Sequence, residues 1–224
     1  MTAMQVRILS RGASRSFPVG DAFLATDAPD SDVLFLLGDR AGEALGEIDP
    51  SAHAAVAVEL SWSCLGALTG EALGAEGGNV VGFARYRTSA EEPTRTIEIV
   101  TQPHTSSAAL ARVGAVFEAS GFEVVTCADR EGRILDRLMR PYFNRALDAL
   151  DLELAPREAL DRTLRLGLGY PRGPLEILSQ SGLAEHFEIS ARLHAAFGER
   201  AYLPPRRARV AAERAVPQDK EPRQ

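Results

Sequence analysis

The spacing of apolar residues changes near Ala128, and this change divides the chain into two parts. In the first part, short apolar runs alternate with helical or loop stretches. Several runs are continuously apolar, as in strands buried on both faces of a parallel sheet. Strands alternating with helices indicate an α/β doubly wound domain. The predicted strands are Val6–Leu9, Asp32–Leu37, Ala54–Leu60, Asn79–Phe83, Arg95–Val100 and Phe122–Cys127.

Two helices are predicted between these strands, in the segments "AGEALGEI" and "SSAALARVGAVFEAS". The second segment has apolar residues at helical spacing. Thr105 or Ser106 is its expected N-cap, and Gly121 is its expected end.

Beyond Ala128 the sequence predicts only helices. The segment "GRILDRLMRPYFNRALDAL" carries a wide apolar stripe that suits a bundle core or a dimer interface. Pro141 is expected to kink this helix. A second helix begins near Pro156 and ends at Gly167 or Gly169, and a further one lies in "LAEHFEISARLHAAFGER". The last residues predict a short helix that frays into a polar tail.

One stretch of this helical part, "RLGLGYPRGPLE" from Arg165 to Glu176, is dense in glycine and proline. Such residues end a helix and restrict the backbone that follows it. The stretch therefore predicts a rigid corner that orients two amphipathic helices around a shared core.

Charge and cysteine content exclude several classes of protein. The net charge of -6 disfavours a nucleic-acid or anionic-membrane partner. The two cysteines, Cys64 and Cys127, form neither a disulfide framework nor a metal-ligand spacing, so we expect no metal site. No apolar run reaches membrane-spanning length and no signal peptide is apparent, which favours a cytoplasmic location.

The helical part resembles the C-terminal domain of the 3-hydroxyacyl-CoA dehydrogenases. The resemblance rests on "GRILDRLMRPYFNRALDAL", "ALDRTLRLGLGYPRGPLEILSQSGL" and "YLPPRRARV", and more weakly on upstream segments such as "AVAVELSWSCL", "NVVGFARYRT" and "RTIEIVTQPHTS". It implies a shortened Rossmann-like domain over 1–128, a helical dimerisation domain over 129–214 and a frayed tail over 215–224. It also implies NAD as cofactor, an acyl-CoA ligand and a homodimer formed through the helical domain.

The cofactor loop departs from the family pattern. Family members place Gly-x-Gly-x-x-Gly between the first strand and a helix, where it holds the dinucleotide pyrophosphate. Here the first strand is followed by "SRGASRSFPVGD", which lacks that fingerprint. The glycines Gly38, Gly42 and Gly46 follow a strand at the wrong spacing, and they are expected to pack a helix on the sheet. We therefore expect NAD not to be bound.

The catalytic positions also depart from the pattern. In the family a His oriented by a Glu takes the hydroxyl proton of the substrate, while a Ser and an Asn hold the substrate oxygen. Aligned by the motifs, Ala84 replaces the His and Glu98 keeps the Glu. The serine pair becomes Ser63 and Cys64, and Asp136 replaces the Asn.

Other residues near these motifs are weaker candidates. Arg85 and Arg87 are new cations that could contact a CoA phosphate or carboxylate, although a solvated edge is their default interpretation. Among the histidines, His104 is the best substitute base. The other histidines are His53, His186 and His194, of which the last two are predicted to lie at the surface or an interface.

Three functions follow from this reading. The chain could be an NAD-dependent dehydrogenase with an unrecognised cofactor loop. It could be a non-catalytic dimer that binds an acyl-CoA or a partner subunit. It could also be a scaffold without a small ligand. Loss of the glycine fingerprint together with loss of the His favours the second function.

Overall fold

A computed structural model describes residues 4–70, 77–87 and 93–215. Within these residues the chain forms two compact units, which divide between Ile134 and Leu135. The division falls at the start of a helix, slightly later than the boundary after Ala128 that the apolar pattern predicts. Apart from Ala215, the predicted tail lies outside the described residues.

Unit 1 is built on a sheet of six strands whose order in space follows their order in the chain. Adjacent strands pair in parallel, except that β5 and β6 are antiparallel. The strands are β1 Arg7–Ser10, β2 Val33–Leu37, β3 Ala55–Glu59, β5 Val80–Arg85, β6 Thr96–Thr101 and β8 Glu123–Ala128. Two short strands, β4 Gly77–Gly78 and β7 His104–Thr105, form a separate pair. All six predicted strands are confirmed.

Helices cover both faces of the main sheet. Helix α1, Ala41–Glu47, packs on one face, and α3, Ser107–Ala119, packs on the other. A short helix α2, Gly66–Thr69, follows β3. In the main sheet, β6 and β8 run opposite to β1, β2, β3 and β5. A right-handed crossover from β6 to β8 therefore places α3 on the opposite face from α1. This arrangement confirms the predicted α/β layering, and Ser106 is the N-cap of α3.

The connection between β1 and β2, all of whose residues the structure describes, is mostly irregular. It contains only one 3₁₀ turn, Ala22–Thr26. Phe17 and Phe23 are buried in the same core as α3, and their rings stack 4.2 Å apart. Asp27 then bridges to Val6 along the outer edge of β1, which protects that edge from pairing with another chain.

In the residues that the structure describes, unit 2 consists of helices and the loops that join them. Its core is formed by Phe143, Ala146, Leu147, Leu175 and Leu178. The helices are α4 Ile134–Asp151, α5 Arg157–Leu168, α6 Pro174–Ser181, α7 Leu183–Phe197 and α8 Arg206–Ala215, with a 3₁₀ turn at Arg200–Tyr202. Helix α4 begins at the end of unit 1 and continues through unit 2, and Pro141 lies inside it. None of the described helices combines the length and apolarity needed to cross a membrane.

The glycine–proline corner joins α5 to α6 through a buried carboxylate. Asp161 of α5 accepts hydrogen bonds from the backbone N–H groups of Leu175 and Glu176, each at 2.9 Å. Pro174 occupies the first position of α6, where its missing N–H is no loss. A Cβ at Gly173 would lie 2.2 Å from the Asp161 carboxylate, so this position requires glycine. The predicted rigid corner is confirmed, with Asp161 as its anchor.

Candidate functional site

Ala84 and Glu98, which the motifs align with the family's His and Glu, lie on adjacent strands of unit 1. In the antiparallel ladder between β5 and β6, Ala84 pairs with Glu98. Both residues are 4% exposed. The side chain opposite Glu98 is thus the methyl group of Ala84, and the alignment of Ala84 with the family's His stays a prediction. A methyl group neither accepts nor donates a proton.

The Glu98 carboxylate contacts backbone. Its Oε2 accepts a hydrogen bond of 2.7 Å from the N–H of Ile134, the first residue of α4. The first N–H groups of a helix have no partner within the helix, and a carboxylate there is also favoured by the helix dipole. Glu98 thus stabilises the beginning of α4.

Ser63 and Cys64 follow β3 and are half-buried. The carbonyl of Ser63 accepts a hydrogen bond of 3.0 Å from Arg133, which is 3% exposed. Burial raises the pKa of the Cys64 thiol, and it also raises the pKa of Cys127, against the opposing effect of Arg133. Both cysteines are therefore protonated thiols near neutral pH, which makes them weak nucleophiles.

Arg85 is 8% exposed, which corrects its default interpretation as part of a solvated edge, while a ligand contact for Arg85 stays a prediction. Its guanidinium is buried and forms a 2.7 Å ion pair with Asp21. It also donates to the carbonyls of Ser16, Pro93 and Thr94. These bonds tie the β1–β2 connection to β5. The positive charge of Arg85 is therefore compensated by contacts inside unit 1.

Arg87 is half-exposed just beyond β5, and its carbonyl accepts a hydrogen bond from Arg15. A ligand contact for Arg87 stays a prediction.

Asp136 lies in unit 2 and forms part of a buried polar chain. Its Oδ1 accepts hydrogen bonds from Arg140 at 2.8 and 3.1 Å. Arg140 lies 3.4 Å from Nδ1 of His186, and Nε2 of His186 lies 2.8 Å from Oδ1 of Asn144. The Asn144 amide donates to the carbonyl of Ala201. The Asp136 carboxylate is therefore paired within its own helix.

His186 is fully buried within the chain, which corrects its predicted position at the surface or an interface. Burial, and secondly the charge of Arg140, lower its pKa to about 3. The ring is neutral at pH 7. Because Asn144 uses its NH₂ group on Ala201, its oxygen faces His186, which places the ring proton on Nε2 and the lone pair toward Arg140.

The remaining histidines do not assemble a site. His104, the predicted substitute base, lies in β7 and is exposed, while His53 and His194 are half-buried. Within the described ranges, no group of three or more His, Cys, Asp or Glu side chains is placed to hold a metal ion.

The carboxyl ends of β1–β5 are covered by the chain itself. This is the edge at which Rossmann-type folds bind dinucleotides. Glu59, at the end of β3, is 4% exposed and accepts 2.7 Å hydrogen bonds from the N–H groups of Ser16 and Gly38. A Cβ at Gly38 would lie 2.2 Å from the carbonyl oxygen of Arg11. Residues 11–16 therefore pack directly over the strand ends.

This edge does not fit an NAD pyrophosphate. In the described residues β1 is followed by a loop and a 3₁₀ turn, without the glycine-rich turn and long helix whose N-terminus would receive the phosphates. The strand order also shows no reversal, so these strands form no crevice of the kind that holds dinucleotides.

Two of these residues were missed by sequence reasoning. Glu59 ends the apolar run "AVAVE", and a lone carboxylate in a buried strand is a usable signal for a buried acceptor. Arg133 gave no such signal, because an arginine after a polar loop is ordinarily exposed.

The comparisons with known proteins agree with the fold. Residues 132–223 match the model of the 3-hydroxyacyl-CoA dehydrogenase C-terminal domain. The chain is 32% identical over 111 residues to 3-hydroxyadipyl-CoA dehydrogenase of Escherichia coli, covering 49% of this chain and 23% of that protein. It is 34% identical over 89 residues to human mitochondrial hydroxyacyl-coenzyme A dehydrogenase, covering 40% and 28%. The matched segments thus span about a quarter of these relatives.

Solved structures extend the similarity to both units. FadB2 of M. tuberculosis superposes with a TM-score of 0.68 at 23% identity, covering 85% of this chain and 71% of that one. (S)-3-hydroxybutyryl-CoA dehydrogenase PaaH1 of Ralstonia eutropha gives 0.67 at 22%, covering 81% and 66%. Residues 132–223 thus match the 3-hydroxyacyl-CoA dehydrogenase C-terminal domain, and the chain shares the fold of these solved structures.

Proposed function

We propose that this chain is a non-catalytic member of the 3-hydroxyacyl-CoA dehydrogenase family that binds an acyl-CoA and does not perform the NAD-dependent reaction. One observation carries the proposal: Ala84 stands opposite Glu98, and the Glu98 carboxylate is used by the backbone of α4. The family reaction needs a group that takes the hydroxyl proton. An alanine at this position cannot supply it.

No other candidate residue is suited to that role. The Asp136 carboxylate is neutralised by Arg140 in a buried ion pair. A carboxylate at this position would also oppose a developing alkoxide. His104 is exposed on a two-residue strand, and His186 is buried within its polar chain. Residues 11–16 pack over the strand ends, which supports the proposal that NAD is not bound there.

The proposal includes a homodimer formed through unit 2. Several large apolar side chains of that unit are exposed, among them Leu138 at 66%, Leu152 at 80% and Leu166 at 76%. Exposed apolar groups of this size are typical of surfaces that become buried in an assembly. The same exposed apolar side chains also support an alternative function, a scaffold that dimerises without binding a small ligand.

Calorimetric titration separates these functions. We expect heat of binding with a CoA thioester such as acetoacetyl-CoA and none with NADH. If neither ligand gave heat of binding, the scaffold function would be favoured. Heat of binding with NADH would favour an active dehydrogenase. A Ser16→Pro variant removes one N–H donor to Glu59 and loosens the 11–16 segment. If this segment is what excludes NADH, the variant should bind NADH more tightly than the parent chain does.

A further inference from the structure

Unit 2 contains a pocket lined by four arginines. It has a volume of about 270 Å³, and α4, the 3₁₀ turn and the start of α8 form its walls. The arginines are Arg145, Arg200, Arg206 and Arg209, and all four are exposed to solvent. The whole chain carries a net charge of -6, so this positive pocket is opposite in sign to the net charge of the chain.

The fold brings these arginines together through buried contacts. The Asn144 amide in α4 donates a 2.8 Å hydrogen bond to the carbonyl of Ala201. This bond fixes the neighbours of both residues, Arg145 and Arg200, at the same pocket. Pro204 and Pro205 are buried and lead the chain into α8. Arg206 and Arg209 are three residues apart on that helix, which places their side chains on one face.

The positive charge is largely uncompensated. Asp148 also lines the pocket, and its carboxylate lies 3.8 Å from Arg145. Among the residues that the structure describes, Arg200, Arg206 and Arg209 form no ion pair. Their neighbour Arg207 differs, because it pairs with Asp151. The two polar atoms of the Asn144 side chain are used by Ala201 and His186, so the guanidinium groups are the donors that face the pocket.

Guanidinium groups match the geometry of phosphate oxygens and form charge-assisted bidentate hydrogen bonds with them. Three uncompensated cations suit an anion with more than one negative charge. The volume is below that of pockets for drug-sized ligands, which run from about 300 to 1,000 Å³. We infer that this pocket binds a diphosphate group, either as free pyrophosphate or carried by a nucleotide. The inference uses unit 2 alone and does not depend on the proposed function.

The test is calorimetric titration of the full chain with pyrophosphate, with sulfate as the reference anion and ADP as the nucleotide-borne diphosphate. We expect pyrophosphate to bind roughly tenfold more tightly than sulfate, as additional charge-assisted hydrogen bonds predict. ADP binding as well would assign the site to nucleotides, while pyrophosphate binding alone would assign it to the free anion; either supports the inference.

Two double variants probe different walls of the pocket, Arg206→Gln/Arg209→Gln and Arg145→Gln/Arg200→Gln. Each should weaken pyrophosphate binding by roughly tenfold or more. Arg214→Gln, an exposed arginine of the same helix outside this pocket, should change it less than about twofold. Because all these side chains are exposed, thermal melts should stay unchanged. The inference fails if pyrophosphate gives no heat beyond sulfate, or if Arg214→Gln weakens binding as much as the double variants.

Discussion

Two buried acids of this chain have structural contacts. Glu98 accepts a hydrogen bond from the N–H of Ile134. Asp136 is paired with Arg140. In both cases the carboxylate satisfies groups of the protein that would otherwise be buried without a partner.

Glu98→Gln should therefore lower the free energy of unfolding. The loss of a charge-assisted hydrogen bond at the start of α4 predicts a decrease of about 1–3 kcal/mol. Urea denaturation measures it, with Glu123→Gln on the exposed side of β8 as the control. An unchanged stability for Glu98→Gln would argue that the carboxylate is held for another purpose.

His186 predicts a specific loss of stability in acid. Its pKa is about 3 in the folded protein and about 6.5 in the unfolded chain, so the unfolded state binds the extra proton. The contribution of the neutral His186 ring to the free energy of unfolding is fully present above pH 6.5. It falls as the pH drops toward 3, by about 1.4 kcal/mol per pH unit at most.

Denaturation between about pH 7 and pH 5 isolates this effect, because carboxylates titrate mainly below that window. The decline should be reduced in His186→Gln and retained in His104→Gln, whose side chain is exposed. If the two variants showed the same pH dependence, the assignment to His186 would be wrong.

At the scale of elements, the corner between α5 and α6 explains the densest motif of the sequence. The Asp161 carboxylate bonds the first two free N–H groups of α6, and Gly173 leaves the space that this approach requires. Glycine and proline predict such a corner from sequence. The role of Asp161 could not be predicted, because about two helical turns and a loop separate it in sequence from the groups it binds.

Asp161→Ala should destabilise the protein by about 1–2 kcal/mol, as for the loss of a helix cap. Glu158→Ala, on the exposed side of the same helix, should stay within about 0.5 kcal/mol of the parent. Thermal or urea unfolding of both variants decides the point. Equal effects would mean that the carboxylate does not anchor α6.

The strands illustrate what a sequence pattern can and cannot specify. Continuous apolar runs such as Val33–Leu37 are confirmed because burial on both faces leaves no alternative to a central strand. The β1–β2 connection was not predictable in the same way. Phe17 and Phe23 enter the core from a segment without periodicity, so only tertiary packing reveals their place.

At the scale of the whole molecule, residues of the β1–β2 connection cover one end and one edge of the sheet. The sheet begins at β1, and its outer edge is closed by the bridge between Val6 and Asp27. At the strand ends, the Glu59 carboxylate accepts hydrogen bonds from the backbone N–H groups of Ser16 and Gly38. Residues 11–16 thus occupy the space over these strand ends.

Association should depend on unit 2. Leu166→Asp places a charge on an exposed apolar side chain and should convert a dimer to a monomer in light scattering after size exclusion. Val19→Asp, at a fully exposed position in unit 1, should leave the mass unchanged. A monomeric parent chain, or a dimer unaffected by Leu166→Asp, would contradict this placement of the interface.

The central claim is that the chain keeps the family fold without its dehydrogenase chemistry. It is tested most directly by NADH oxidation with acetoacetyl-CoA, using protein in stoichiometric amount and following the nicotinamide absorbance. The account predicts no oxidation above the protein-free rate, both for the parent chain and for Ala84→His. Oxidation by the parent chain that is lost in Glu98→Gln would contradict it, and would identify a working dehydrogenase that binds its cofactor in another way.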